Sequence, residues 1–199
     1  GGLQIIDVSN PSSPTFRGKI DSGIVPTEVV LAGTLAYVAD YTGGLRIIDV
    51  STPSAPALLG SYNTGNVSWG LTVSGKLAYV TDSVSGLQII DVSNPSAPVR
   101  LGGYDTSGYT RGVTVSGTLA YVADDSSGLQ IIDISDSSAP VLLGSYDTSG
   151  EAHKVAILGE FAYVADGGSG LRIVKVLQDI SGVTQEDATT FRIDLPGDI

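Results

Sequence analysis

Leu35-Ala-Tyr-Val-Ala-Asp40-Tyr-Thr-Gly-Gly44-Leu45-Arg-Ile-Ile-Asp-Val50 is the stretch whose reading decides the fold. Its first six residues are nearly all apolar, as in a strand covered on both faces. Tyr41–Gly44 form a turn, and Leu45–Val50 are rich in β-branched residues, which favour strands. Both phrases return through the chain. The Gly-Leu-Gln/Arg-Ile-Ile-Asp-Val phrase, with small variations, places its Leu at Leu3, Leu45, Leu87, Leu129 and Leu171, 42 residues apart each time. The Ala-Tyr-Val-(Ala/Thr)-Asp phrase ends at Asp40, Asp82, Asp124 and Asp166. A period this strict denotes one supersecondary unit stacked on copies of itself.

The rest of the unit reads the same way. Glu28–Gly33 is a short, half-apolar strand closed by a Gly-Thr turn, and Ala57–Tyr62 is a further strand. Ser51–Pro56 between them must be a loop, because its two prolines cannot donate to a ladder. With strands lettered a to d in chain order, four short antiparallel strands per 42 residues are the signature of a propeller blade. A β-solenoid is the main rival, but its coils are usually shorter and parallel. The sequence therefore predicts an all-β chain, a β-propeller built from 42-residue four-stranded blades.

The phrases Leu35-Ala-Tyr-Val-Ala-Asp40 and Gly86-Leu-Gln-Ile-Ile-Asp-Val-Ser-Asn-Pro95 resemble the LVIVD-repeat family of β-propeller repeats from bacterial and archaeal surface proteins. The resemblance covers residues 1–176. It implies a non-catalytic propeller on a secreted or surface-anchored protein, and it carries over no catalytic, ligand-binding or cofactor residue.

The array holds three complete blades, at about residues 25–66, 67–108 and 109–150, flanked by incomplete blades at 1–24 and 151–176. Residues 177–199 form a polar, acidic tail or linker in which Thr190–Leu195 could be one strand. The pattern opens mid-blade, without methionine, and fails after Lys175, which stands where Asp7, Asp49, Asp91 and Asp133 stand in earlier units. A partial propeller is thus expected, with further blades upstream. The alternative is a small four-bladed ring, in which the strand near Phe16–Ile20 completes the last blade. Missing blades would leave apolar faces and open edges at both ends, and association through them is expected.

Composition limits the function. A net charge of −11 with a sequence pI near 4.2 offers no basic patch for a phosphate backbone, so no nucleic-acid partner is expected. No apolar run reaches membrane-spanning length. Without cysteine there is neither a disulfide framework nor thiolate chemistry. The single histidine, His153, cannot make a multi-histidine metal site, and the many turn serines offer it no singled-out nucleophile. No cofactor, metal site or catalytic residue is expected.

The columns identical from blade to blade read as structural. Asp7, Asp49, Asp91 and Asp133 are placed to accept amide hydrogen bonds from the following turn. Asp40, Asp82, Asp124 and Asp166 stand beside Gly-rich turns, yet no turn carries the ligand spacing of a calcium loop. One column is disrupted instead. At the entry to strand a, Thr27, Trp69, Arg111 and His153 occupy equivalent positions. Glu28 and Lys154 follow in the next column, and Tyr109 lies two residues before Arg111. Strand a is the innermost of a blade, and d→a and b→c connections share one side of a meander. These residues are therefore expected around one channel mouth, beside the variable b→c turns. Aromatic and arginine residues on loops over a rigid scaffold suit partner binding. The expected function is a non-enzymatic, extracellular or cell-surface module for protein or carbohydrate recognition. The alternatives are a passive spacer in a larger surface protein and a hydrolase or lyase at the channel mouth.

Overall fold

The computed structural model describes residues 1–21 and 23–176; the strand expected at Thr190–Leu195 lies outside the described residues. The chain opens with a hairpin, β1 (Leu3–Asp7) and β2 (Thr15–Ile20), here called blade 1. Blade 2 holds β3 (Pro26–Ala32), β4 (Leu35–Asp40), β5 (Gly44–Asp49) and β6 (Ala57–Tyr62). Blade 3 holds β7 (Ser68–Ser74), β8 (Leu77–Asp82), β9 (Leu87–Asp91) and β10 (Val99–Tyr104). Blade 4 holds β11 (Gly112–Ser116), β12 (Leu119–Ala123), β13 (Leu129–Asp133) and β14 (Val141–Tyr146). Blade 5 ends the described chain with β15 (Lys154–Leu158), β16 (Phe161–Ala165) and β17 (Leu171–Lys175). Every described sheet is an antiparallel meander in chain order, as the expected β-propeller architecture requires. Strand β2 pairs with β1, and β17 heads a three-stranded sheet, so the hairpin does not complete the last blade.

Each interior blade is a slab with two apolar faces, and the core lies between slabs. Leu45, Ile47, Tyr37 and Ala39 of blade 2 pack on Ala78, Val80, Ile90 and Val92 of blade 3. Leu119, Tyr121, Leu129 and Ile131 of blade 4 pack in the same register on Val155, Val164, Val174 and Val176 of blade 5. Strand b is buried on both sides, which is why it carries an unbroken apolar run instead of an alternating one.

The c–d pairs share a bulge that skips Arg17, Leu59, Leu101 and Leu143. Next to it, Gly18, Gly60 and Gly102 lie directly beneath the carbonyls of Pro53, Pro95 and Ser137 in the following blade, leaving no room for a Cβ. The c→d loops of blades 2, 3 and 4 are therefore each seated in a notch of the blade before. The c→d loop is held in turn by the aspartate at the end of strand c. Ser9, Ser51, Ser93 and Ser135 each donate a backbone amide, at 2.8 Å, to Asp7, Asp49, Asp91 and Asp133 respectively. The amide hydrogen bonds hold the Asp49 and Asp91 carboxyls below the usual range, and the Arg17 guanidinium does so foremost for Asp7.

Candidate recognition face

The innermost strands approach so closely that side chains are excluded at two positions. A Cβ on Gly70 would lie 2.6 Å from the Arg111 carbonyl, and one on Gly112 would lie 2.6 Å from the His153 carbonyl. The same column carries Glu28 in blade 2 and Lys154 in blade 5. They join: Lys154 Nζ stands 2.6 Å from Glu28 Oε1, while Glu28 Oε2 accepts the Leu71 amide at 2.8 Å. The two candidate charges satisfy each other. Thr27 is also turned to structure, its hydroxyl donating to the carbonyls of Ala39 (3.0 Å) and Ser68 (2.8 Å) across the blade 2–blade 3 junction.

Trp69, Tyr109 and Arg111 are brought together as the sequence suggested. The Arg111 guanidinium carbon lies 5.8 Å from the Trp69 ring centre and 5.7 Å from that of Tyr109, within cation–π range of both. Its orientation is fixed by Asp125, whose Oδ2 accepts Arg111 Nε at 2.7 Å. On the far side Tyr41 meets Trp69 edge-on, with ring centres 5.4 Å apart and planes at 87°. Tyr41 and Asp125 sit in the variable b→c turns of blades 2 and 4, so the signal for them was their place beside the disrupted column. All five side chains are at least partly accessible. His153 stands apart from this cluster, its Nε2 being 3.5 Å from Glu151 Oε2.

A shallow groove at the start of strand c in blade 3 is lined by Ser85, Gln88, Arg100 and Asp105, with Thr64 from the connection that precedes the blade. Arg100 replaces the leucine found at Leu58 and Leu142, and its Nε donates to Gln88 Oε1 at 2.6 Å. Arg100 springs from the c→d end of strand d, and only its side chain reaches the start of strand c.

The Asp40, Asp82, Asp124 and Asp166 column proves to be completely buried beneath that side. Thr106 donates to Asp124 at 2.9 Å, and Thr148 makes the equivalent bond to Asp166, each reaching across from the preceding blade. The residue at the start of strand c then divides the blades. Arg46 Nε donates to Asp40 Oδ2 at 3.0 Å, and Arg172 Nε lies 3.5 Å from Asp166 Oδ2. In blades 3 and 4 the position holds Gln88 and Gln130, whose amides turn to the carbonyls of Ser85 and Ser127. Burial raises the Asp82 carboxyl above its ordinary value, and it pushes Asp124 up to about 6, with Asp125 and Asp105 adding repulsion. Among the described residues no cluster of three or more His, Cys, Asp or Glu is arranged to hold a metal ion. Nor is any described helix long and apolar enough to cross a membrane.

Stacked antiparallel blades with constant cores and one variable loop side define a β-propeller repeat array. The chain belongs to the LVIVD repeat family, whose pattern matches at residues 1–22, 26–64, 65–106, 107–148 and 149–184. No curated protein matches its sequence. Among solved structures it is similar to the computationally designed Ika4 protein, at 9% identity and a TM-score of 0.64, over 78% of this chain and 94% of that one. It is also similar to the designed Ika8 protein, at 7% identity and a TM-score of 0.56, over 81% of this chain and 62% of that one. A functionally unknown protein from Desulfotomaculum acetoxidans is matched at 14% identity and a TM-score of 0.67, over 81% of this chain and 58% of that one. These likenesses concern the fold alone.

Proposed function

We propose that this chain is a non-enzymatic recognition module that binds a protein or glycan at the cell surface or outside the cell. The observation that carries the reading is the guanidinium of Arg111 set between two aromatic rings and held by Asp125, on the side where the blades differ. Aromatic and arginine side chains present large contact area with few rotatable bonds, which lowers the entropic cost of binding. None of the four aligned positions Thr27, Trp69, Arg111 and His153 repeats its neighbour, whereas the columns that hold the blades together barely change.

The test is a glycan array and a panel of extracellular matrix proteins probed with the full chain and with a Trp69→Ala/Arg111→Ala variant. The expected result is at least one ligand whose retention falls about 30-fold or more in the variant, a loss of about 2 kcal/mol. The melting temperature of the variant should stay within about 3 °C, as for substitutions outside a core. A ligand retained equally by both proteins would move recognition off this face. Silence across the array and the panel would favour a passive spacer.

A further inference from the structure

Blade 3 departs from blades 2 and 4 at two positions of its outer strand, and the two departures fit together. Arg100 stands where Leu58 and Leu142 stand, and Gly103 stands where Ser61 and Ser145 stand. A Cβ on Gly103 would lie 2.8 Å from Arg100 Nη2 and 3.3 Å from Gln88 Oε1. Loss of the serine side chain is therefore what lets the arginine lie back along the strand. Gln88, only 6% exposed, then fixes the guanidinium. Its Oε1 accepts Arg100 Nε at 2.6 Å, and its Nε2 donates to the Ser85 carbonyl at 2.7 Å. Among the described arginines, Arg17, Arg46, Arg111 and Arg172 each meet a carboxylate, and Arg100 meets none. A positioned, exposed guanidinium thus keeps its ion pair open.

We infer that the blade 3 groove, with a volume of about 380 Å³, binds the carboxylate of an acidic sugar, a uronic acid unit of a polysaccharide. This is a second site, and it does not rest on the Trp69–Arg111 cluster. With Nε taken by Gln88, the Nη groups remain to donate to a planar carboxylate, the partner that matches the guanidinium fork. The rest of the lining selects among anions. Asp105 shares the groove without pairing with Arg100. One of its oxygens accepts the Ser107 amide at 3.2 Å, and the other is left to accept from a ligand. Such an acceptor beside the arginine opposes sulfate and phosphate, which bring acceptors alone, and suits a ligand with hydroxyl donors next to its carboxylate. Thr64 and Ser85 add hydroxyls, which both donate and accept, and Asn66 Nδ2 holds Ser85 Oγ at 2.7 Å. Among the described residues of the lining only Val84 brings an apolar side chain, so the neighbouring side chains of an acidic peptide would find little to bury against.

The experiment is isothermal titration calorimetry of the full chain with tetramers of galacturonate, mannuronate and guluronate, with the methyl ester of the first, and with tetraglutamate. The variants are Arg100→Leu, which restores the residue of blades 2 and 4, and Gly103→Ser, which keeps the charge but crowds the guanidinium. Unchanged melting temperatures verify folding. At least one uronate is expected to bind, and Arg100→Leu should weaken it about 10-fold or more. Methyl esterification should weaken binding as much, and Gly103→Ser should weaken it as well. Failure of all three uronates to bind overturns the inference, as does binding that Arg100→Leu or esterification leaves unchanged. Tetraglutamate held as tightly as the uronates, and lost with Arg100→Leu, overturns the sugar in favour of an acidic peptide. Uronate binding lost in the Trp69→Ala/Arg111→Ala variant but kept in Arg100→Leu would move the site to the cluster and overturn the groove.

Discussion

Blades 4 and 5 are two printings of one repeat, and they differ in what covers them and in how one buried charge is answered. Leu129 and Leu171 hold the same position in strand c. The first is sealed by blade 5 and the second faces solvent, so identical chemistry contributes to the core in one case and to an open surface in the other. Asp124 and Asp166 are equally buried, but blade 5 sets Arg172 beside its carboxylate, whereas blade 4 has Gln130 turned away to Ser127. The comparison teaches that in a repeat array a residue's role is set by its blade's neighbours as much as by its column.

The sharpest way to break it is truncation of the paired leucines. Leu129→Ala should cost about 3 kcal/mol in urea unfolding, by loss of transfer energy and creation of a cavity, while Leu171→Ala should cost under about 0.5 kcal/mol. Equal losses would mean that Leu171 is covered in solution.

Next in size is the pH dependence from Asp124. Its folded carboxyl titrates near 6, above the ordinary value of 3.8, so the folded chain holds the proton more tightly than the unfolded chain. Stability from this group is therefore fully present below about pH 4 and is lost as pH rises through about 6, by on the order of 2 kcal/mol. Asp124→Asn should flatten that part of the profile in melts across the range. A slope that survives the change belongs to another group.

The smallest effect comes from making blade 4 imitate blade 5. Gln130→Arg brings a guanidinium to the start of strand c and should lower the Asp124 titration midpoint by about one unit, read by carboxyl NMR, with about 1 kcal/mol gained at neutral pH. An unmoved midpoint would show that the side chain at this position cannot reach the carboxylate of blade 4.

Much of the fold was legible in the sequence because a strict 42-residue period leaves few architectures, and the prolines and glycines punctuate each strand. The Asp7, Asp49, Asp91 and Asp133 row was legible too, since an aspartate two residues before a turn amide forms a local motif that needs no tertiary partner. The candidate face was only half readable. Alignment of repeats put Trp69, Tyr109 and Arg111 at one mouth, and the structure brings those three together. Alignment does not give distances between blades, so it could not show Glu28 and Lys154 neutralising each other, or Thr27 spent on two carbonyls. Tyr41 and Asp125 lie in turns already marked as variable, but neither was singled out because their contacts are made with neighbouring blades. The burial of the Asp40 column was hidden for the same reason, since the loop that covers each aspartate comes from the preceding unit.

The Glu28–Lys154 pair also changes how such an array should come apart. In a stack whose units touch only their neighbours, stability is a sum of local terms, and unfolding can start at either end and travel inward. Here blade 2 and blade 5 hold hands across the inner strands of blades 3 and 4. Fraying of the last blade therefore releases a carboxylate that also anchors the Leu71 amide in blade 3. A line of repeats has been given a clasp, and with it a reason for blades 2 and 5 to unfold together.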